Sequence, residues 1–96
     1  MKTLDSQTWH IMDATADDWE SIDQIRPHVL TFHGHVSDAA IFATLRILHD
    51  QGLIKLMDDK GHSAKHFPKD PHAFWFSMTE TGRQLWDAEG TKYQKE

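Results

Sequence analysis

Lysines and histidines cluster in one short segment of this 96-residue chain, where their side chains could bind anions. Residues 60–69 contain Lys60, His62, Lys65, His66 and Lys69 and no carboxylate. Lysines of this kind can neutralise phosphates, and each such contact releases counterions. Lysines also simply keep long loops hydrated, so the segment alone leaves both interpretations open. The whole chain carries a net charge of −5, which argues against a general affinity for polyanions.

Eight histidines raise the question of a metal site. The candidate ligands form a His-x-His pair and a group of three in the second half of the chain: His33, His35, His62, His66 and His72. Imidazole suits zinc, copper and nickel. No two of them form a known zinc motif, and the chain has no cysteine to complete a common site. We therefore expect no bound metal. The unperturbed pKa of a histidine side chain, ~6.5, lies close to physiological pH, so histidines could make partner binding pH-dependent.

The sequence offers no pattern that supports catalysis. It has no nucleophile motif, no glycine-rich phosphate loop and no carboxylate pair beside a convincing base. The adjacent acids Asp17-Asp18 and Asp58-Asp59 are typical of turns. We therefore expect neither an enzyme nor a cofactor.

Length and composition fit one domain that covers residues 1–96. Apolar residues make up 39% of the chain, including four tryptophans and five phenylalanines, which favours a folded core over disorder. The lack of cysteine excludes a disulfide framework. There is no long apolar run and no signal-peptide pattern at the N-terminus. We therefore expect a cytoplasmic protein that does not enter a membrane.

Apolar spacing predicts two helices in the first third of the chain. The first runs from about residue 5 to residue 14. The second follows Ser21, which forms a capping box with Gln24. Pro27 should shorten or kink this second helix, so that residues 30–35 form a turn.

The third helix is the most regular element of the sequence. Ser37 is a natural N-cap, because its hydroxyl can accept from N–H groups that the first turn leaves unpaired. Ile41, Leu45 and Leu48 recur at helical spacing, so one stripe of the helix should face a core. Gly52 lies where a helix needs a left-handed residue to end.

Two strands follow, at residues 53–57 and 73–78. The residues between them are polar and include one glycine and two prolines, so we expect residues 58–72 to form a long hairpin loop. Loops of this length are often functional. Alternation along the second strand directs Phe74 and Phe76 to the core and Trp75 to the opposite face.

A fourth helix should close the chain. Thr79 caps it and Gly90 ends it, which leaves residues 91–96 as a tail. Trp9 and Trp86 lie on the two terminal helices. Burial within the monomer is the default interpretation of these rings, and a surface for self-association is the alternative.

Two phrases of the sequence stand in register with these elements. They are Leu48-His49-Asp50-Gln51-Gly52-Leu53-Ile54 and Met78-Thr79-Glu80-Thr81-Gly82-Arg83. With the order helix, helix, helix, strand, loop, strand, helix, most of the chain resembles the winged helix-turn-helix domain of bacterial and archaeal transcription regulators. That family typically has leucine where Met78 stands. The resemblance implies an α+β fold with a three-helix core, a two-stranded β-hairpin wing and a C-terminal helix.

The resemblance implies a transcription regulator that binds double-stranded DNA as a homodimer formed through its terminal helices. The third helix would enter the major groove, and the long loop would be the wing. The DNA-binding residues would be Ser37, Ala39, Phe42, Ala43 and Arg46 on the helix and Lys60, His62, Lys65, His66 and Lys69 on the wing. Arg46 is the one side chain on that helix that suits contact with a base or a phosphate, whereas Asp38 would repel the phosphates of the DNA backbone. Arg26 and His28, and His33 and His35 in the turn, could add contacts to the DNA backbone, although a solvated turn explains the last two equally well.

A second interpretation is a winged-helix module that binds a protein partner and little or no DNA. The acidic balance of the chain and its few arginines favour this interpretation. Phe42 and Ala43 would then pack internally or meet the partner rather than read bases. Fold alone does not choose between the two.

Overall fold

Four helices and a three-stranded antiparallel sheet make up residues 4–90, the part of the chain that a computed structural model describes. In chain order the elements are α1 (Ser6–Asp13), α2 (Ile22–Phe32), α3 (Asp38–Asp50), β1 (Ile54–Met57), β2 (Ser63–Ala64), a short 3₁₀ helix (Pro71–Ala73), β3 (Trp75–Met78) and α4 (Glu80–Glu89). The expected α+β class is therefore confirmed. The tail expected at residues 91–96 lies outside the described part. No helix within residues 4–90 has the length and apolar character needed to cross a membrane.

The predicted helix starts are confirmed by their caps. Asp5, Ser37 and Thr79 cap α1, α3 and α4, and each side chain accepts from the backbone N–H three residues further on. The capping box of α2 is present as well, with Gln24 Oε1 accepting from the N–H of Ser21 at 2.8 Å. Each cap satisfies an N–H group that has no partner inside its helix.

Helix α2 extends further than predicted. It continues to Phe32 although Pro27 lies inside it, so the turn expected at residues 30–35 was wrong for its first three residues. Proline removes one helical hydrogen bond. However, Ile25 and Val29 on either side of it are almost fully buried, with 0% and 1% of their surface exposed. Packing of this apolar stripe outweighs the lost hydrogen bond, so the helix continues.

The sheet has three strands in the order β2-β1-β3, and both pairings are antiparallel. The pairing of the two predicted strands is confirmed, since β1 and β3 pair from Ile54 opposite Met78 to Met57 opposite Trp75. The prediction of only two strands was wrong, since Ser63–Ala64 pairs with the end of β1 inside the segment expected to be a loop. The last strand also begins at Trp75 rather than at residue 73, because Pro71–Ala73 forms the 3₁₀ helix.

A tight turn explains the additional strand. The Asp58 carboxylate accepts from the backbone N–H groups of Lys60 and His62, each at 2.9 Å. These backbone hydrogen bonds, with the one from His62 dominant, lower the pKa of Asp58. Gly61 has a φ of +83°, a conformation that other residues rarely adopt. The chain therefore reverses directly after β1 and pairs back onto it.

The connection between α1 and α2 is attached to β3. Glu20 N donates to the carbonyl of Phe76 at 2.9 Å, and Phe76 N donates to the carbonyl of Glu20 at 2.8 Å. Burial of the Glu20 carboxyl raises its pKa. The Phe76 side chain is fully buried and Trp75 is half-buried, in agreement with the predicted alternation.

The core lies between the first three helices and the sheet. Ile41, Leu45 and Leu48 are each 0% exposed, so the inward stripe predicted for the third helix is confirmed. The other large, fully buried side chains come from α1, α2 and the strands and their flanks: Trp9, Ile11, Met12, Ile22, Ile25, Leu53, Ile54, Leu56 and Phe76. This burial orients α3 and thereby decides which of its residues face solvent.

The two sequence phrases behind the resemblance contact each other. Gly52 ends the α3 region with a φ of +74°, and its carbonyl accepts from Thr79 Oγ1 at 2.7 Å. The Leu53 carbonyl accepts from Thr79 N at 3.1 Å. A Cβ at Gly82 would collide with that same Leu53 carbonyl oxygen. These residues therefore hold the start of α4 against the α3–β1 junction, which is a structural role.

The two terminal helices meet through their tryptophans. The rings of Trp9 and Trp86 stack with centroids 6.3 Å apart, and Trp9 Nε1 donates to the Trp86 carbonyl at 3.1 Å. Trp86 Nε1 donates to Asp13 Oδ1 at 2.8 Å, while Asp13 Oδ2 lies 2.8 Å from His28 Nε2. Trp9 is 2% exposed, so its ring is buried within the chain.

Candidate functional site

The outer face of α3, defined here as Ala39, Ala43, Arg46 and Ile47, is exposed to solvent. Ile47 alone is 55% exposed. This face exists because the inward stripe of the helix is fully buried. Two of its four side chains are methyl groups, so a partner can approach the helix closely. Arg46 supplies the only lysine or arginine side chain of α3.

Asp38, at the start of α3, is held by a fork of hydrogen bonds from α2. Arg26 Nε donates to Asp38 Oδ1 at 2.7 Å, and Arg26 Nη2 donates to Asp38 Oδ2 at 2.8 Å. These hydrogen bonds lower the pKa of Asp38 and raise that of Arg26. Arg26 also donates to Asp23 at 3.2 Å. The repulsion expected from Asp38 is therefore offset locally, and Arg26 is engaged in this pair.

Residues 65–72 fold over one side of α3. The His72 ring meets the Phe42 ring edge-on, with centroids 4.9 Å apart. Phe67 lies 6.1 Å from the Phe76 ring in the core and 6.1 Å from the His49 ring on α3. Phe42 is accordingly half-buried and packs against the core, as the packing interpretation requires.

A groove of about 350 Å³ remains between α3 and this overlying segment. Five apolar residues and two cations line it: Phe42, Ala43, Arg46, Phe67, Pro68, Lys69 and Pro71. Among the described residues, no carboxylate lines the groove. The groove therefore combines an apolar surface with positive charge, although the chain as a whole is acidic.

The five basic residues expected on the wing lie at three places along the backbone. Lys60 and His62 are exposed in the tight turn after β1, where His62 Nδ1 lies 3.7 Å from Asp58 Oδ2. The other three follow β2: Lys65 and His66 are exposed, and Lys69 lines the groove. Ser37, which was predicted as a contact, uses its hydroxyl to accept from Ala40 N at 3.1 Å.

The histidines are mostly engaged with polar neighbours. His33 Nδ1 lies 3.1 Å from Ser6 Oγ, and His72 Nδ1 lies 3.1 Å from Asp70 Oδ1. His72 Nε2 is also 3.8 Å from Asp38 Oδ2. Within residues 4–90, no three histidine or carboxylate side chains are grouped closely enough to hold a metal ion.

Sequence reasoning missed the apolar wall of the groove. Phe67, Pro68 and Pro71 form this wall. The sequence indicated a function for the segment only through its lysines and histidines, and its prolines indicated only a loop. The signal that could have identified this wall is Phe67, an aromatic residue within an otherwise polar stretch, since phenylalanine is among the most often buried side chains. Pro71 is buried.

Comparisons with protein-family models, with curated proteins and with solved structures found no match to this chain.

Proposed function

We propose that this chain is a winged helix-turn-helix domain that binds double-stranded DNA and regulates transcription. In this proposal α3 is the recognition helix. Residues 58–72, which include the turn after β1, are the wing. The observation that carries the proposal is the meeting of Arg46 and Lys69 at one groove beside an exposed, small-residue helix face. Helices enter the major groove of DNA when their outer side chains allow close approach and a cation is available for guanine or phosphate.

Six of the predicted contacts have distinct roles in this proposal. Ala39 and Ala43 would lie against base edges or a thymine methyl, and Arg46 would bond to guanine or a phosphate. Lys65 and Lys69 would neutralise phosphates. The Arg26 fork on Asp38 supports the proposal, since it offsets the carboxylate that would otherwise face the DNA backbone. Phe42 would act by packing rather than by base contact.

The test is binding to a random 20-base-pair duplex, measured by fluorescence anisotropy across a range of salt concentrations. The logarithm of the affinity should fall linearly with the logarithm of salt, with a slope of about −0.9 for each phosphate neutralised. Lys65→Ala and Lys69→Ala should each reduce that slope by roughly one. Lys55→Ala is the matched control, because Lys55 lies on β1 over the Trp19 ring, 5.5 Å from its centroid.

An unchanged slope in both Lys65→Ala and Lys69→Ala, or a complete lack of binding at low salt, would contradict the proposal. The second candidate would then gain support: a winged-helix module that binds a protein. The specific observation in its favour is exposed apolar surface, since Leu30, Phe32 and Ile47 are each more than half exposed. Homodimerisation is a further part of the regulator proposal, and sedimentation of the whole chain tests it.

A further inference from the structure

The aromatic side chains that form the walls of the groove between α3 and residues 67–71 pack against other rings of the fold. On one side, Phe67 packs against the fully buried Phe76 ring, with centroids 6.1 Å apart. On the other side, Phe42 meets the edge of the His72 ring at 4.9 Å. The overlying segment also contains two prolines, which restrict its backbone. The groove is thus formed before any ligand arrives, as small-ligand sites usually are.

The charges around the groove are of one sign. Arg46 and Lys69 both line it, and no carboxylate does so among the described residues. The acids nearest to the groove along the chain are Asp38 and Asp50 on α3 and Asp70 beside Lys69, and none of the three lines the groove. Asp38 accepts the Arg26 fork, and Asp70 accepts from the backbone N–H of His72 at 3.1 Å. A ligand in this groove would therefore meet apolar rings and two cations whose charge no groove carboxylate cancels.

We propose that this groove is a binding site for a small aromatic carboxylate. The ring of the ligand packs between Phe42 and Phe67, and its carboxylate pairs with Arg46 and Lys69. A guanidinium can give a carboxylate two parallel N–H···O bonds, which favours this anion over a neutral polar group. The volume of about 350 Å³ falls at the lower end of small-ligand sites and accommodates one or two fused rings.

The site shares its two cations with the proposed DNA surface, so ligand and DNA would compete. The ligand proposal does not require the DNA proposal to be correct. The ligand titration uses the whole chain without DNA, so that failure of one proposal leaves the other standing.

The experiment is a titration of the ¹⁵N-labelled chain with 2-naphthoate, followed by backbone amide shifts. We expect shifts centred on Ala43, Arg46, Phe67 and Lys69, with a dissociation constant near or below about 1 mM for a ligand of this size. The neutral analogue 2-naphthamide should bind at least about fivefold more weakly, because it lacks the charge.

Variants locate the site. Arg46→Ala and Lys69→Ala should each weaken 2-naphthoate binding roughly threefold to tenfold. Ala43→Leu should block the groove, and because Ala43 is exposed on α3 this variant should keep the fold. Lys55→Ala removes the same charge from β1 and should leave binding unchanged.

Three results would overturn the proposal: no amide shifts at millimolar 2-naphthoate, equal binding of 2-naphthamide, or an equal loss in Lys55→Ala. A parallel titration with duplex DNA distinguishes the ligand proposal from the DNA proposal. Shifts of the groove amides with DNA but not with 2-naphthoate would assign the groove to nucleic acid and overturn the ligand site. If the chain binds 2-naphthoate but does not bind DNA, the ligand site is supported and the DNA proposal is refuted.

Discussion

Replacing Gly82 by alanine should destabilise the fold, although the same change usually stabilises a helix. Alanine is favoured over glycine inside a helix by about 1 kcal/mol. Here, however, a Cβ would collide with the backbone carbonyl of Leu53. That carbonyl cannot rotate aside like a side chain, because it already accepts from Thr79 N at 3.1 Å. Overpacking typically costs about 1–3 kcal/mol and sometimes more. An overpacking cost of about 3 kcal/mol, less about 1 kcal/mol gained in helix propensity, lowers the free energy of unfolding by about 2 kcal/mol.

Urea unfolding followed by circular dichroism measures this loss directly. For a domain of this size, 2 kcal/mol corresponds to a decrease in Tm of about 8–16 °C. Gly61→Ala separates collision from backbone strain, since Gly61 has a φ of +83° but open space around it. It should lose only about 1–2 kcal/mol, from conformation alone. Thr81→Ala, at an exposed position on α4, should change little. A Gly82→Ala variant as stable as the original chain would refute the packing of α4 against the α3–β1 junction.

Three further substitutions test other contacts. Hydrogen bonds from Thr8 lower the pKa of Asp5, so its cap contributes stability above the unfolded pKa of ~3.9 that is lost as the pH falls through the lower folded value. Asp5→Asn should therefore flatten the decline in Tm below pH ~4, and an unaltered acid profile would contradict this. Trp86→Phe removes the 2.8 Å bond to the Asp13 carboxylate and should cost about 1–3 kcal/mol in urea unfolding, whereas unchanged stability would argue against that bond. Asp38→Asn removes one negative charge beside α3 and frees Arg26, so DNA affinity at low salt should rise by about twofold to fivefold. Weaker binding of that variant would show that the fork itself is needed.

Local patterns in the sequence predicted much of the architecture. Ser37 and Thr79 predicted helix starts because a capping side chain bonds to backbone only three residues away. Ile41 and Leu45 predicted the buried side of α3 because helical periodicity alone places them on one face. Gly52 predicted the end of that helix region because few other residues adopt its positive φ.

Longer-range features were predicted less well. Pro27 suggested a short second helix, but burial of its neighbours on the core kept the helix intact to Phe32. Strand β2 was missed because Ser63–Ala64 has only two residues and no apolar alternation. Its pairing depends on the tight turn at Asp58. The acids Asp58-Asp59 indicated a turn, but they do not indicate that the chain pairs back onto β1 after it.

The candidate site was likewise predicted only in part from the sequence. The sequence identified its cations, since charge and the exposed face of a periodic helix can both be inferred without knowing any neighbour. It did not show that Phe67 lies over α3, that Arg26 binds Asp38, or that Arg46 and Lys69 line a common groove.

Residue type, spacing and backbone preference act over a few residues, so the sequence alone determined where the helices begin, how they are capped and which stripe of α3 faces inward. The tertiary structure decided how residues 65–72 fold back, which of the basic residues share a groove, and why position 82 must be glycine. The physical reason is that these contacts join residues distant in the chain. Their partners are chosen by how the whole core packs, a property that no local pattern encodes.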